Sequence, residues 1–315
     1  EKEFLLSFFS VKILKQIKNK NLKKMNYEKL KGYIWYNGKF VKSNKAKLHV
    51  LSHSLHFASA VFEGIRIYNG KPFKLNEHIK RLVRSCEILD KKIPYEKIKI
   101  KNACTKLILK QKISDGYIRP VVWRGGQSMA PGIKNAKINL AIAAWVWPIY
   151  YSKEAKAKGI SLTVSKWRRP PSICAPTHSK CSGLYMICTL AKHYAEKKNF
   201  DDALFLDLNN NVCETTSSNI FFIINNSVVT PIPDKFLNGI TRQEIINLCK
   251  KNKIKVIEKK IKLKDCKKAA SCFVTGTAAE VTPVRQIDKV KFDTKNIILN
   301  KIKVEFEKHI SKITL

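Results

Sequence analysis

Val212-Cys213-Glu214-Thr215-Thr216-Ser217-Ser218-Asn219-Ile220-Phe221 places one acid and a run of hydroxyl side chains between two apolar stretches. The apolar stretches read as buried strands and the polar run as the turn that joins them. A carboxylate there leaves water, so it needs a partner that carries positive charge or donates hydrogen bonds. Outward from this point the pattern is a meander. A strand covers 203–208, Asn209-Asn210-Asn211 turns the chain, and Asn219 to Ile224 forms the next strand. Asn225-Asn226 turns it again into Val228 to Thr230. A helix follows from about Thr241 to Lys251. Upstream, Leu184, Ile187, Cys188, Ala191 and Ala195 share one helical face, and Ile160 to Ser165 reads as a strand.

The first half has the same mixed character. Asn37-Gly38 joins Tyr33 to Tyr36 with Lys39 to Val41 as a hairpin. Ile79, Leu82, Val83, Cys86 and Leu89 repeat at helical spacing, and Pro94 lies beyond that helix. Tyr117 to Trp123 and Ile138 to Trp147 read as buried strands. The fold class is therefore α/β. The expected organisation is an N-terminal extension over 1–26 outside the fold and a small α/β domain over 27–149. A linker over 150–156 leads to a large α/β domain over 157–315. The 315 residues suit two domains of ordinary size.

Charge is the unusual quantity: 61 basic against 24 acidic residues, a net +37. A nucleic-acid binder is the first hypothesis for such a balance. Against it, the basic residues are 52 Lys and only 9 Arg, scattered rather than clustered. Base and phosphate readers rely on Arg. The nine Cys form no C-x-x-C pair, which points to reduced thiols in a cytoplasmic setting. No apolar run reaches the length of a membrane-spanning helix.

His49, His53 and His56 invite a metal reading, but no Glu stands where the zinc-helix motif needs one, and no metal is expected. The glycine-rich dinucleotide and triphosphate loops are absent. Two other loops suit a phosphate. Asn238-Gly239-Ile240-Thr241 ends at a helix start, where unpaired amides and the helix dipole favour an anion. Thr275-Gly276-Thr277-Ala278-Ala279 offers small side chains, hydroxyls and accessible amides. Lys180, in Ala175-Pro176-Thr177-His178-Ser179-Lys180-Cys181-Ser182-Gly183-Leu184-Tyr185, is set apart from the other lysines by its small, polar neighbours just before an apolar helix. A desolvated lysine amine attacks aldehydes. A lysine, an acid able to pair with a ring nitrogen and two phosphate loops together fit pyridoxal 5′-phosphate.

These segments jointly resemble the class IV aminotransferases, and within them the branched-chain amino acid aminotransferases, over about residues 32 to 290. The resemblance is carried by His53-Ser54-Leu55-His56-Phe57, Val61-Phe62-Glu63-Gly64-Ile65-Arg66, Glu77-His78 with Arg81-Leu82, and Tyr117-Ile118-Arg119-Pro120. Asn219-Ile220-Phe221, Gly239-Ile240-Thr241-Arg242 and Thr275 to Pro283 follow in the family's order and spacing. It implies the two-domain fold type IV, similar to D-amino acid aminotransferase. The implied activity is reversible amino transfer between L-leucine, L-isoleucine or L-valine and 2-oxoglutarate. That step ends branched-chain amino acid synthesis or begins degradation.

The resemblance also implies roles. Lys180 matches the lysine that links to the cofactor and moves the proton, and Glu214 the acid at the pyridine nitrogen. Arg81, the backbone of Ile240 and Thr241, and Thr277 match the phosphate-binding set, Gly239 and Gly276 fall among the cofactor-binding residues, and Tyr185 matches the tyrosine near the cofactor's phenolic oxygen. Tyr117 with the amides of Thr277 and Ala278 matches the cradle for the substrate carboxylate, and Ala279 falls among the substrate-binding residues. Arg119 matches the arginine for glutamate's distal carboxylate. Phe62, Gly64, Trp147 and Tyr150 match the side-chain pocket. The resemblance implies a homo-oligomer, a homodimer at least, with dimer and hexamer both open. The loop around Gln127-Ser128-Met129 resembles the part that crosses to the partner. Two departures stand out. Phe57 replaces a tyrosine that aids glutamate binding, and Cys181-Ser182-Gly183-Leu184 replaces Ala-Gly-Gly-Asn, with Ser182 expected to crowd the site. The alternatives are D-amino acid aminotransferase, aminodeoxychorismate lyase or, outside the family, a basic nucleic-acid-binding protein.

Overall fold

The computed structural model describes residues 26–133, 135–147, 151 and 153–314. Apart from Asn26, the expected N-terminal extension lies outside the described residues, as does Tyr150. The strands are β1 (Tyr33–Tyr36), β2 (Lys39–Lys42), β3 (Val61–Phe62), β4 (Ile65–Tyr68), β5 (Lys71–Pro72), β6 (Gly116–Arg124) and β7 (Ile138–Val146) in a first sheet. They run in the order β2-β1-β7-β6-β4-β5, with β3 also on β6 and every pair antiparallel. The β1–β2 hairpin turns through Asn37 and Gly38, both at positive φ, the geometry that made this dipeptide legible.

Alternation along β6 divides its side chains. Ile118 and Val122 are fully buried with Ile79, Leu82, Ile100 and Leu107 of the helices Leu75–Glu87 and Lys97–Gln111. Tyr117, Arg119, Val121 and Trp123 fall on the opposite face, as period two requires. The helix Lys97–Gln111 was not legible in the sequence. Its start, Lys97-Ile98-Lys99-Ile100-Lys101, alternates like a strand, yet Ile100 is fully buried while Ile98 is half exposed.

The second sheet contains β8 (Ile160–Arg168), β9 (Asp202–Leu206), β10 (Val212–Thr215), β11 (Asn219–Ile224), β12 (Ser227–Thr230), β13 (Val256–Glu258), β14 (Ser271–Gly276), β15 (Glu280–Ile287) and β16 (Val290–Lys291). Its order is β10-β9-β8-β15-β14-β11-β12-β13, and β10 pairs again with β11 through Glu214 and Asn219. That last pairing closes a ring of β10, β9, β8, β15, β14 and β11. Ile160, Leu162, Leu204, Val212, Ile220, Phe222, Val274 and Val284 from these strands share one core. The alternate residues Phe221, Ile223 and Phe273 pack with the helices Ile240–Lys251 and Ile297–Thr314. The rings of Phe221 and Phe273 stack at 4.9 Å; truncating either to Ala would cost about 3–5 kcal/mol. Ala203, Phe205 and Cys213 pack instead on the helix Met186–Lys197. The meander read from the sequence lies within a residue or two of these bounds, its first strand ending at Leu206. Glu214 stands at the seam where the ring closes.

Candidate active site

Lys180 is held by its backbone against the first sheet. Its carbonyl accepts from Phe62 N at 3.1 Å, its amide donates to Ser85 Oγ at 3.1 Å, and Cys181 forms a bridge with Val61. The side chain turns to Tyr185, whose hydroxyl accepts from Nζ at 2.6 Å. Burial, followed by the nearby Arg81 charge, brings the amine down to about 8, while Glu63 and Glu214 pull the other way. Burial pushes the Tyr185 phenol up, so it stays protonated at neutral pH.

Glu214 faces the same cavity. Burial pushes its carboxyl up to about 7 against the opposing charges of Arg169 and Lys180. Arg169 Nε lies 3.3 Å from its Oε1. The hydroxyl run read in the sequence is anchored beside it. Thr216 Oγ1 donates to the buried Asp202 at 2.6 Å, and Thr215 N donates to Ser218 O at 2.8 Å.

The other end of the cavity gathers donors. Ile240 and Thr241 begin a helix whose N-terminus no side chain caps, so its first amides suit an outside acceptor. Gly239 N donates to Asn219 Oδ1 at 3.1 Å, fixing the approach of that loop. Arg81, Gly276 and Thr277 line the same space. All nine residues expected around the cofactor thus line one cavity: Arg81, Lys180, Tyr185, Glu214, Gly239, Ile240, Thr241, Gly276 and Thr277.

The residues expected around substrate divide. Phe62 packs on Tyr185 at 4.8 Å between ring centres and lies 5.0 Å from Lys180 Nζ. Arg119 lies over both Phe62 and Tyr117, at 4.9 and 5.4 Å. Trp147 meets Tyr117 edge-on at 4.3 Å. Gly64 has to be glycine, because a Cβ there would fall 1.7 Å from the Tyr117 hydroxyl. Ala278 lies in the turn after Gly276, whereas the Ala279 side chain enters the barrel core and leaves only backbone for the site. Phe57 is not brought to this cavity by its own chain: it is 39% exposed and stacks on His53. Ser182 does not crowd the cavity as expected. Its hydroxyl turns away to donate to Ala58 O at 2.8 Å, and it is not among the lining residues.

A family model, amino-transferase class IV, matches residues 60–287. The chain is 43% identical over 274 residues to a probable branched-chain-amino-acid aminotransferase of Rickettsia bellii (strain RML369-C), covering 86% of this chain and 92% of that one. The chain belongs to the class IV aminotransferases. The crystal structure of the T.th. branched-chain amino acid aminotransferase with pyridoxamine 5′-phosphate superposes at a TM-score of 0.86 with 33% identity, covering 90% of this chain and 95% of that one. The same enzyme complexed with N-(5′-phosphopyridoxyl)-L-glutamate gives 0.84 and 32%, with the same coverage.

The residues present in this aminotransferase fit a phosphorylated pyridine aldehyde. Ser218 Oγ and Thr275 Oγ1 are buried, line the cavity and have no protein partner among the described residues. An outside group with acceptors would satisfy them. The amides at the helix start with Arg81 suit its phosphate, Lys180 its aldehyde and Glu214 its ring nitrogen.

Several residues at the site carried no role in the sequence reading. Arg169 is 3% exposed and pairs with Glu214; Asp202 anchors Thr216; Glu63 and His78 hold Arg81 between them, His78 through Glu63. His49, His53 and His56 each spend a ring nitrogen on nearby backbone. Among the described residues no group of three or more His, Cys, Asp or Glu is placed to hold a metal ion.

Proposed function

We propose that the chain is a pyridoxal 5′-phosphate-dependent branched-chain amino acid aminotransferase, moving the amino group between L-leucine, L-isoleucine or L-valine and 2-oxoglutarate. One observation carries the reading. A lysine amine lowered to about 8 and a carboxyl raised to about 7 face one cavity, beside an uncapped helix N-terminus. Pyridoxal phosphate, when bound, supplies an electron sink for the bond that breaks at the substrate Cα. The chain does the rest.

Lys180 Nζ, neutral for part of its time near pH 8, takes the Cα proton and returns it as the general acid. Tyr185, 2.6 Å away, orients that amine. Glu214 would pair with a protonated ring nitrogen, and the Arg169 charge opposes the burial that raises the Glu214 carboxyl. Arg81, the amides of Ile240 and Thr241, and Thr277 hold the phosphate. Tyr117 with the turn at Thr277–Ala278 receives the α-carboxylate. Phe62 and Trp147 offer leucine an apolar wall, and Arg119 meets glutamate's distal carboxylate with a fork of donors. Its buried Nε lacks a protein partner among the described residues. Two substrates then share one pocket.

We infer at least a homodimer. Phe57, Leu51 and Leu55 are exposed near an open apolar groove lined by Val121, Ala141, Ala143 and Met186. A partner chain covering this face would carry the Gln127–Met129 loop across. The nine cysteines are all free, which suits the cytoplasm, and no helix among the described residues is long and apolar enough to cross a membrane.

The test is an amino-donor panel on purified, cofactor-loaded protein with 2-oxoglutarate as acceptor. L-leucine, L-isoleucine and L-valine should yield glutamate. Transfer from D-alanine but not from these three would replace the reading with a D-amino acid aminotransferase.

A further inference from the structure

Residues 62 to 64 serve three neighbours at once. Phe62 lies against Lys180 and Tyr185, Gly64 makes room for Tyr117, and between them Glu63 points the other way, into the core. Glu63 is 0% exposed. Its Oε1 accepts from Arg81 Nε at 2.5 Å, and its Oε2 from Arg81 Nη2 at 2.9 Å and His78 Nδ1 at 2.7 Å. Its own backbone amide donates to Pro120 O, on the strand that carries Tyr117 and Arg119. His78 is buried too, and burial lowers its pKa, so the neutral ring donates from Nδ1.

We propose that Glu63 is a positioning residue for cofactor binding: its two oxygens grip the Arg81 guanidinium edge-on and fix that plane where the phosphate meets it. The proposal rests on the reading above that the phosphate lies between Arg81 and the start of the helix at Ile240. Arg81 has five N–H donors. The two at Nε and Nη2 go to Glu63, and the residue still lines the cavity. An arginine on its own loses several side-chain torsions when it binds an anion; one already clamped by a sealed carboxylate has lost them on folding. His78 performs the same service for Glu63, donating to the Oε2 that Arg81 Nη2 also reaches.

Two effects compete if Glu63 is removed. The clamp is lost, which weakens the phosphate contact. The Arg81 charge is also unmasked, which strengthens attraction to an anion. Geometry decides between them. Burial and the bidentate contact make Arg81's direction depend on Glu63, whereas the phosphate also has the helix amides and Thr277 for its charge. The clamp should win.

The experiment compares the affinity of cofactor-free protein for pyridoxal 5′-phosphate and for pyridoxal by equilibrium dialysis. Both react with Lys180, and only the first has a phosphate, so their affinity ratio isolates the phosphate end. In Glu63→Gln the ratio should fall by about tenfold, the worth of one charge-assisted hydrogen bond. In the Arg81→Met background the same change should shift the ratio no further. A purely structural role for Glu63 would weaken both ligands alike and leave the ratio unmoved, which overturns the proposal. A rise in the ratio also overturns it, since Glu63 would then compete with the phosphate. Should Arg81→Met itself leave the ratio unchanged, the phosphate assignment falls and the proposal with it. Where Glu63→Gln fails to fold, His78→Leu removes one of the carboxylate's supports and should lower the ratio by a few-fold; an unchanged ratio there counts against the clamp.

Discussion

Glu63 and Glu214 are both acids inside the protein with an arginine at hand, and they are in opposite states. Glu63 is sealed, with three side-chain donors between 2.5 and 2.9 Å. Although burial pushes its carboxyl up, the Arg81 charge and the hydrogen bonds donated by Arg81 and His78 pull it well below the usual range. Glu214 has a side chain 12% exposed toward the cavity and an ion pair with Arg169 at 3.3 Å, with the Lys180 charge also acting on it. Burial wins there, and the carboxyl rises to about 7. The difference separates two jobs. A carboxylate whose acceptors are all used holds structure. One left short of donors is set for a ligand that brings a proton.

The sharpest way to break that distinction is to make the same change at both sites. Glu214→Gln should cut turnover about a hundredfold or more at saturating cofactor, since losing one partner of a buried charge pair costs about 3–5 kcal/mol. Glu63→Gln should leave saturated turnover within a few-fold and cost cofactor retention instead. Steady-state rates at rising cofactor concentration check both. Equal losses of turnover at the two sites would erase the comparison.

A smaller effect follows from Arg169. Its charge lowers the Glu214 pKa, so Arg169→Met raises it, and Glu214 stays protonated to higher pH. The acid limb of the pH–rate profile should move up by about one unit. Movement down would mean that another group governs that limb.

Stability gives a third test. Glu214 has a folded pKa above the ordinary carboxylate value of 4.5. It therefore stabilises the cofactor-free fold fully below that value, and the contribution is lost as pH rises to about 7. Whatever the fixed offset, thermal melts of cofactor-free Glu214→Gln should gain on the parent as pH increases through this window. A gap independent of pH would contradict the raised pKa.

The smallest change expected is Phe57→Tyr. Its side chain is exposed in one chain, so the new hydroxyl acts only where a partner's cavity lies beside it. A lower KM for 2-oxoglutarate by a few-fold, with leucine flat, is expected from one added donor to a carboxylate. Equal shifts for both substrates would remove Phe57 from the substrate's surroundings.

What was legible in the sequence divides along the same line as the two acids. Lys180, Glu214 and the two loops stand out because their chemistry demands a residue type inside a local context, whereas Arg81 came only from the family's motifs. The β11 bounds and the Asn37-Gly38 hairpin could be found because period and turn chemistry are local too. Arg169, Glu63, His78 and Asp202 act through partners distant in the chain or across sheets, and no local pattern announces such pairs. One global signal did point toward them. In a chain of 52 Lys and 9 Arg, arginine is the rare choice. Arg66, Arg81, Arg124, Arg168, Arg169, Arg242 and Arg285 each place the guanidinium against an oxygen partner. Arg119 lies over two rings. A planar fork does these things and an ammonium does them poorly, so arginine's scarcity marks fixed contacts at eight of the nine, the exposed Arg84 being the exception. The helices Lys97–Gln111 and Ile297–Thr314 stayed hidden for a different reason: exposed apolar residues, Ile98 and Leu109 on the first and Ile297 and Val304 on the second, blur the period.

One lysine among 52 carries the chemistry assigned to the cavity. Borohydride reduction of the cofactor-loaded protein, followed by mass spectrometry of its peptides, reads that residue directly. The pyridoxyl group should be found on Lys180 Nζ, and Lys180→Ala should carry none and show no amino transfer. Cofactor fixed at another lysine, with activity kept in Lys180→Ala, would contradict the assignment of the cavity.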